Sequence, residues 1–330
     1  MVILASEEKE IGVVKDVVFT ADANGENRIF SMQIARCNWN KDMYFSHYVY
    51  VPDTEFGGRI GEVLTDTTLD YVEVKGYTWR GMLGNKVIVP PTGSNHRIVS
   101  GELHDVLKEL IEPEFGGLFV VSSADTGATV SGFKFERYCT LLDGIVKMLS
   151  EVGYRLKLSR KRVKDGLDHV LVEAIPIVDY SRNIELSKDF RLNYMLDDKR
   201  DGVNHLIVTG KGELQERNVF HLYAWPDGSI KKTPYYTGIN EIVKVYENTS
   251  TETDELQAHA EKELKELMNK KIFKMSAAEL RDEVGIGDIV GSRDYLTGLY
   301  AAKPIENIIY TEINGVEAKQ YKLEGEDQDE

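Results

Sequence analysis

A cysteine directly before a predicted helix is the residue best placed to do chemistry in this sequence. Cys139 precedes Thr140, which forms a capping-box pattern with Asp143. A thiolate at a helix N-terminus is stabilised by backbone N–H groups and by the helix dipole. With His169 or His205 as base, Cys139 is a candidate nucleophile of a cell-wall cysteine peptidase. No peptidase signature surrounds it, so a packed, reduced thiol is the favoured interpretation, as it is for Cys37.

Two aromatic groups are a second kind of candidate site. The first consists of Tyr44, Phe45, Tyr48 and Tyr50, and the second of Tyr235 and Tyr236. Rows of aromatic rings can stack on sugars or on the bases of single strands. The lack of interleaved Lys and Arg argues against nucleic acid. Core or subunit-interface packing is favoured, because tyrosine is common in both, and carbohydrate binding is kept as the alternative.

The remaining chemical signals are negative. The sequence contains no HExxH, GxSxG, P-loop or GxGxxG motif. Histidines such as His205 and His221 fall in strand-like runs without metal-ligand spacing, which favours ordinary sheet positions. The 55 acidic residues could supply a glycosidase pair, but nothing singles one out. We therefore predict no catalytic residue, no cofactor, no metal and no enzymatic activity.

Size and charge limit the classes of function. A chain of 330 residues usually divides into two or three packing units. The net charge of −15 repels phosphate, which argues against specific nucleic-acid binding. No apolar run is long enough for a membrane helix, and the acidic start MVILASEEKE does not resemble a signal peptide. These features predict a folded protein that is made in the cytoplasm and does not insert into a membrane.

The first half of the chain divides into a β-rich part and a mixed part. Alternating apolar residues predict strands through the first ninety or so residues, and the turn-forming run 90–95 predicts a domain boundary. After it, a helix is expected from a cap at Ser100 to Ile111, before Pro113. A second helix between Thr140 and Gly153, followed by a hairpin, completes an α+β region over 96–178.

The second half returns to β character from residue 181 onward. Strands are predicted at 204–208 and 219–223, with a Pro-Asp-Gly turn at 226–228. A helix over 252–273, capped by Thr251, interrupts them. Asn314-Gly315 between two alternating runs is the strongest hairpin signal in the sequence.

Three stretches resemble a known family, the tail-tip and baseplate hub proteins of phages and of prophage-derived tail-like particles of Gram-positive bacteria. The stretches are 57–90, which contains Gly-Gly-Arg-Ile-Gly-Glu-Val and Lys-Gly-Tyr-Thr-Trp-Arg-Gly-Met-Leu, 203–223, which begins Val-Asn-His-Leu-Ile-Val-Thr-Gly-Lys-Gly, and 286–305, which begins Ile-Gly-Asp-Ile-Val-Gly-Ser-Arg-Asp-Tyr. They occur in the family's order and span most of the chain. The similarity of 60–64 to 286–290 is also consistent with an internal duplication.

The resemblance implies a mainly β fold with two antiparallel barrels related to the tail-tube fold. The first barrel is expected at 1–95, with 180–203 as a segment that could complete it. The α+β insertion then occupies 96–178, and the second barrel, with the inserted helix 252–273, occupies 204–330.

The resemblance also implies a structural role in a virion or tail-like particle assembled in the bacterial cytoplasm. Three copies would form a ring that joins the hexameric tail tube to the spike or tip. The tape-measure protein and other baseplate proteins are further expected partners, and DNA or the tape measure would pass through the ring. Asp53, Glu55 and Glu62 are candidates for its acidic lining, and Gly57-Gly58 for a close subunit contact. A cell-wall hydrolase and a carbohydrate-binding receptor module are the alternatives.

Overall fold

The chain is mainly β with a small number of helices. The computed structural model describes residues 1–6, 9–41, 43, 45–161, 168–182, 192–212, 216–249, 253–277, 284–294 and 296–323. The helices in this part of the chain are α1 (Trp79–Gly84), α2 (Leu103–Phe115), α3 (Leu141–Glu151) and α4 (Thr253–Leu267). None of these helices has the length and apolar composition needed to span a membrane.

The strands follow the predicted β-rich regions closely. In the first half they are β1 (Ile3–Ala5), β2 (Glu10–Val13), β3 (Val17–Asp22), β4 (Ile29–Ala35), β5 (Tyr48–Tyr50), β6 (Gly57–Thr65), β7 (Tyr71–Thr78), β8 (Ile98–Glu102), β9 (Phe119–Val121), β10 (Thr129–Lys134), β11 (Tyr154–Lys161) and β12 (His169–Pro176). In the second half they are β13 (Leu192–Lys199), β14 (His205–Thr209), β15 (Val219–Ala224), β16 (Ile230–Lys231), β17 (Val243–Glu247), β18 (Lys270–Ala277), β19 (Ile289–Arg293), β20 (Tyr300–Ile313) and β21 (Val316–Leu323).

The contacts divide the chain into two compact units. The first unit comprises Met1–Tyr194, Lys274–Asp294 and Ala302–Glu330, and the second comprises Met195–Phe273 and Tyr295–Ala301.

A ten-stranded sheet forms the β part of the first unit. Its strand order is β19-β20-β3-β4-β7-β6-β5-β1-β2, with β21 paired to β20. In β3 and β4 alternate side chains such as Phe19, Phe30 and Met32 are fully buried, as the period-two pattern predicts. The predicted Asn314-Gly315 hairpin is confirmed, since Ile313 lies opposite Val316 and both turn residues have positive φ.

The predicted α+β region contains two helices, α2 and α3, and a small sheet. Strands β11 and β12 form the predicted hairpin, and β9 joins β12 in parallel. Helix α3 begins as predicted, because the Thr140 hydroxyl accepts a hydrogen bond from the Asp143 N–H at 3.1 Å. Gly153 after the helix has φ of 76°, the left-handed conformation predicted for it.

The predicted start of α2 is wrong by a few residues. The cap is Glu102, whose carboxylate accepts from the Asp105 N–H at 3.1 Å. Ser100 instead belongs to β8, where its hydroxyl accepts from the Gly132 N–H at 2.8 Å. Pro113 lies inside the last turn of the helix, which continues to Phe115 and ends at left-handed Gly116.

The second unit contains a four-stranded sheet and helix α4. The strand order is β16-β15-β14-β17, and β14 and β17 run parallel. Leu256, Ala260 and Leu264 of α4 pack on buried side chains of β14 and β15, which include Leu206 and Leu222. The helix is shorter than the predicted 252–273, because residues from Lys270 onward form β18. The predicted cap, Thr251, lies outside the described residues.

The predicted domain boundaries differ from the observed units. The predicted boundary at 95/96 does not interrupt the packing, because one hydrophobic core contains Tyr50 and Trp79 together with Leu107 and Ile145. The predicted block 204–330 also divides, because β20 pairs with β3 and places the C-terminal hairpin in the first unit.

The described strands do not show two related barrels. The path of the ten-stranded sheet runs from β19 to β2, and its described strands do not close on themselves. The strand pairs from β20 to β2 are antiparallel, whereas the four-stranded sheet contains a parallel pair. In the segment 180–203, β13 pairs with β18 and joins neither sheet, and residues 183–191 lie outside the described part.

Candidate functional site

The surroundings of Cys139 do not activate its thiol. Burial, together with the carboxylate of Glu136, raises the pKa of the Cys139 thiol, which favours the protonated and less nucleophilic form. No histidine of the described chain is among the groups that shift this pKa. His169 begins β12, opposite Lys161, and His205 belongs to the other unit. The geometry therefore supports packing against the core for Cys139.

This environment predicts slow alkylation of Cys139. At pH 7.5 we expect iodoacetamide to modify the exposed Cys37 at least about tenfold faster than Cys139, because less of the Cys139 thiol is ionised and part of it is buried. Peptide mass spectrometry over time, with Cys37→Ser and Cys139→Ser variants as controls, measures both rates. Faster modification of Cys139 would restore the peptidase hypothesis.

Tyr48 and Tyr50 of the first aromatic group belong to a buried cluster, whereas Phe45 is 53% exposed. Tyr48 and Tyr50 lie in β5 and are 5% and 0% exposed. Their ring centroids lie 5.3 and 5.2 Å from the guanidinium carbon of Arg160, and that of Trp79 lies 5.6 Å away. The three rings stabilise a buried cation. They form no exposed platform, and Tyr44 lies outside the described residues.

The two glycines proposed for a subunit contact are required within the chain. A side-chain carbon on Gly58 would lie 2.0 Å from the Tyr77 carbonyl oxygen. One on Gly57, which has φ of 158°, would lie 2.6 Å from the Tyr50 Cβ. Because neither residue has a side chain, β6 can approach its neighbours β5 and β7 closely.

The three carboxylates proposed for an acidic lining have different environments. Glu55 is 12% exposed and pairs with buried Arg80 at 2.7 Å, so it holds the first unit together. Asp53 pairs with Lys161 at 2.9 Å and is 71% exposed. Glu62 is exposed on β6. Only Asp53 and Glu62 remain accessible to a passing molecule.

A polar row crosses the exposed side of the ten-stranded sheet. Thr311 lies opposite Thr20, Thr20 opposite Ser31, Ser31 opposite Lys75, and Lys75 opposite Glu62. We call these five residues the polar row. All five are partly or fully exposed and none is apolar. The row therefore presents hydroxyl groups and charges of both signs to the outside, whereas the opposite face of the sheet is buried.

Two predicted sheet histidines meet in the second unit. His205 Nδ1 lies 2.7 Å from a Glu241 carboxylate oxygen, and His205 Nε2 lies 2.7 Å from His221 Nδ1. Tyr223 stacks on His205 with ring centroids 4.4 Å apart. Each histidine lies in its predicted strand, but the pair was not predicted. Within the described ranges, no group of three or more His, Cys, Asp or Glu side chains is arranged to hold a metal ion.

A cavity also lies in the second unit. It has a volume of about 360 Å³, within the usual range for ligand sites. Asp198, Arg200 and Lys270 line it, with Trp225 and Tyr236 as its aromatic residues. We call it the unit-2 cavity. The Arg200 guanidinium donates three hydrogen bonds, of 3.1, 3.1 and 2.7 Å, to the Asp198 carboxylate, which raises the pKa of Arg200.

Local contacts fix the indole of Trp225 at the cavity. Its Nε1–H donates to the Thr233 carbonyl oxygen at 3.0 Å, and its ring centroid lies 3.7 Å from Lys231 Nζ. Its backbone N–H donates to the Ser229 carbonyl at 2.8 Å and closes the predicted turn at 226–228. The ring of Tyr235 is 5.0 Å from that of Trp225. Trp225 is thus a pre-positioned part of the wall.

One residue of the second aromatic group, Tyr236, lines this cavity. Tyr235 is 53% exposed, and Tyr236 is half-buried in the wall. Sequence reasoning found these two residues but missed Trp225. The signal was present, because Trp225 directly precedes the Pro-Asp-Gly turn that brings Lys231 back to it.

The overall fold is found in phage and prophage tail proteins. The crystal structure of the 43 kDa tail protein of prophage MuSo2 from Shewanella oneidensis matches with a TM-score of 0.51 and 12% identity, over 98% of this chain and 97% of that one. A chain of the phage P2 baseplate, in its activated conformation with Ca, matches with a TM-score of 0.50 and 10% identity over 100% of both chains. No protein-family model and no curated protein sequence matches the chain.

Proposed function

We propose that this chain is a structural subunit of a phage tail or of a prophage-derived tail-like particle, located at the baseplate or tail tip. One observation carries the proposal: the fold extends over nearly the whole length of both this chain and a prophage tail protein. A similarity confined to one unit would fit a common module. End-to-end similarity, shared with a P2 baseplate chain, fits a common place in one kind of assembly.

Within that assembly we place the chain in a ring of three copies that joins the tail tube to the spike or tip. The number of copies rests on the resemblance of the three sequence stretches to hub proteins. A duplicated barrel does not support it, since the ten-stranded and the four-stranded sheets differ in topology. Contacts with the tube, spike and tape-measure proteins belong to the same proposal.

The polar row supports the proposal that this face lines a channel through which DNA or the tape-measure protein moves. Thr20, Ser31 and Thr311 offer short hydroxyl groups, and Lys75 forms an ion pair with Glu73 at 2.9 Å. The five residues of the row are all polar, while Val18 and Ile313, two positions away along β3 and β20, are 37% and 50% exposed. The net charge of −15 adds repulsion toward DNA.

The role in assembly is tested by deleting the gene from its phage or prophage and examining the particles by electron microscopy. We expect no complete tails, because a tube without its distal subunit has no platform on which to assemble. Expression of the wild-type chain in trans should restore tails, whereas an empty plasmid should not. Normal, infective tails from the deletion strain would contradict the proposal, and a copy number other than three in purified baseplates would contradict the trimeric ring.

A further inference from the structure

We propose that the unit-2 cavity binds an anionic saccharide, so that the chain carries a glycan-binding site in addition to its structural role. The defining juxtaposition is an aromatic wall, Trp225 and Tyr236, beside the basic side chains of Lys199, Arg200 and Lys270. The ligand chemistry is a pyranose ring with a carboxylate or phosphate substituent.

The aromatic wall accounts for the sugar ring. A pyranose has a face of C–H groups that packs on the flat surface of an aromatic ring, while its hydroxyl groups remain available to polar neighbours. The orientation of Trp225 is set before any ligand arrives, by its bonds to Thr233 and Ser229 and by the Lys231 ammonium. Pre-positioning lowers the entropic cost of binding.

The local charge accounts for the anionic substituent. Lys199, Arg200 and Lys270 line the cavity, and Lys231 lies on Trp225. Among the lining residues one carboxylate, Asp198, opposes the three cations and is bound to Arg200. Asp227 lies 4.0 Å from Lys231, and Asp197 and Asp201 flank the lining segment in sequence. The lining itself therefore carries more cations than carboxylates, in a chain whose net charge is −15. This contrast favours an anion at this cavity over the rest of the surface.

The shape of the site distinguishes a saccharide from a polynucleotide. A volume of about 360 Å³ accommodates a small ligand, whereas single-stranded nucleic acid is bound along an extended basic groove with several stacking rings. Two asparagine side chains could also form hydrogen bonds with a sugar. Asn204 and Asn269 line the cavity, and each has an amide oxygen that accepts a backbone N–H, from Ile242 and Gly202 respectively. These bonds hold the amide groups in place.

Isothermal titration calorimetry on the full chain tests the site with defined probes. An oligogalacturonate supplies the carboxylate, a glucosylated glycerol-phosphate oligomer supplies the phosphate, and maltotriose is the neutral control. We expect millimolar or tighter binding of at least one anionic probe, and binding at least about tenfold weaker for maltotriose because it lacks the charge-assisted bonds. The probe that binds identifies the source of the negative charge.

Variants assign the binding to the cavity. Trp225→Ala should abolish measurable binding, and the double variant Lys199→Gln, Lys270→Gln should weaken it at least about tenfold while leaving the wall intact. Lys244→Gln is the matched control, because Lys244 lies in the same unit and pairs with Glu263 at 3.0 Å outside the cavity wall. It should bind as the wild type does.

Three results would overturn the inference: no binding of either anionic probe, equal binding of maltotriose, or binding of an oligothymidylate with affinity similar to that of the saccharides. The proposed structural role is tested independently. Particles assembled with the double lysine variant should be complete by electron microscopy and lose only glycan binding. Failure of those particles to assemble would instead show that the cavity is a contact between tail proteins.

Discussion

Replacing Asp288 by alanine is expected to lower the unfolding free energy of the first unit by about 3–5 kcal/mol, because it leaves a buried cation without its partner. Asp288 is 0% exposed and pairs with Arg155, 8% exposed, at 2.7 Å. Its carboxylate also accepts the N–H groups of Val178 and Gly285 at 3.0 and 2.9 Å. The substitution therefore removes the acceptor of the buried Arg155 guanidinium and of two partly buried N–H groups.

The two glycines just before Asp288 leave room for the Arg155 side chain. A side-chain carbon on Gly285 would lie 2.6 Å from an Arg155 guanidinium nitrogen. Gly287 has φ of 97°, and a carbon added there would lie 2.9 Å from the Arg155 Cβ. The start of the hub-like stretch 286–305 therefore packs around one buried arginine, Arg155.

Urea unfolding followed by near-UV circular dichroism and tryptophan fluorescence measures the loss. Asp288→Asn, which keeps an oxygen acceptor but removes the charge, should lose less stability than Asp288→Ala. Glu136→Ala is the control, because it breaks an exposed ion pair with Lys147 and should leave the midpoint unchanged. If Asp288→Ala unfolds at the same urea concentration as Glu136→Ala, the buried pair does not stabilise the unit.

The second large effect is expected at Gly76, where alanine should destabilise the first unit by about 3 kcal/mol or more, at the upper end for overpacked sites. A side-chain carbon at Gly76 would lie 1.8 Å from the Arg59 carbonyl oxygen. That oxygen belongs to β6, which pairs with β7 through the Gly58↔Thr78 and Arg59↔Tyr77 positions. The strands must separate to admit the methyl group.

Gly61→Ala is the matched control in the same strand pair. Gly61 lies at the irregularity between Ile60 and Glu62, and no atom lies within 4 Å of the carbon that would be added. Its φ is outside the positive range, so alanine should be neutral or stabilise the unit by about 0.4–1 kcal/mol through the unfolded chain. Thermal unfolding of both variants measures the difference. Equal midpoints for Gly76→Ala and Gly61→Ala would contradict the close approach of β6 and β7.

Local sequence signals predicted the elements well because their causes are local. The Thr140 hydroxyl caps α3 three residues away, and Asn314-Gly315 supplies the positive φ values of its own hairpin. The pairing of β3 with β20 joins residues nearly three hundred positions apart, so no local pattern could reveal it. The division of the predicted block 204–330 between the two units follows from that one long-range pairing.

Candidate sites were predicted less well, because burial and partners decide what a side chain does. Tyr48 and Tyr235 both belong to aromatic groups in the sequence, yet the first surrounds Arg160 in the core and the second lies exposed near the unit-2 cavity. The sequence made Glu55 a candidate for an acidic lining, but in the structure its carboxylate pairs with the buried Arg80. Composition and spacing do not distinguish these cases.

A cryo-electron microscopy map of the intact particle made by the phage or prophage that encodes this chain tests the central claim most directly. We expect density for the ten-stranded sheet in three copies around the tail axis, at the distal end of the tube, with the polar row facing the channel. Absence of the chain from the particle, or its presence only as a free protein in the lysate, would contradict a structural role in the tail.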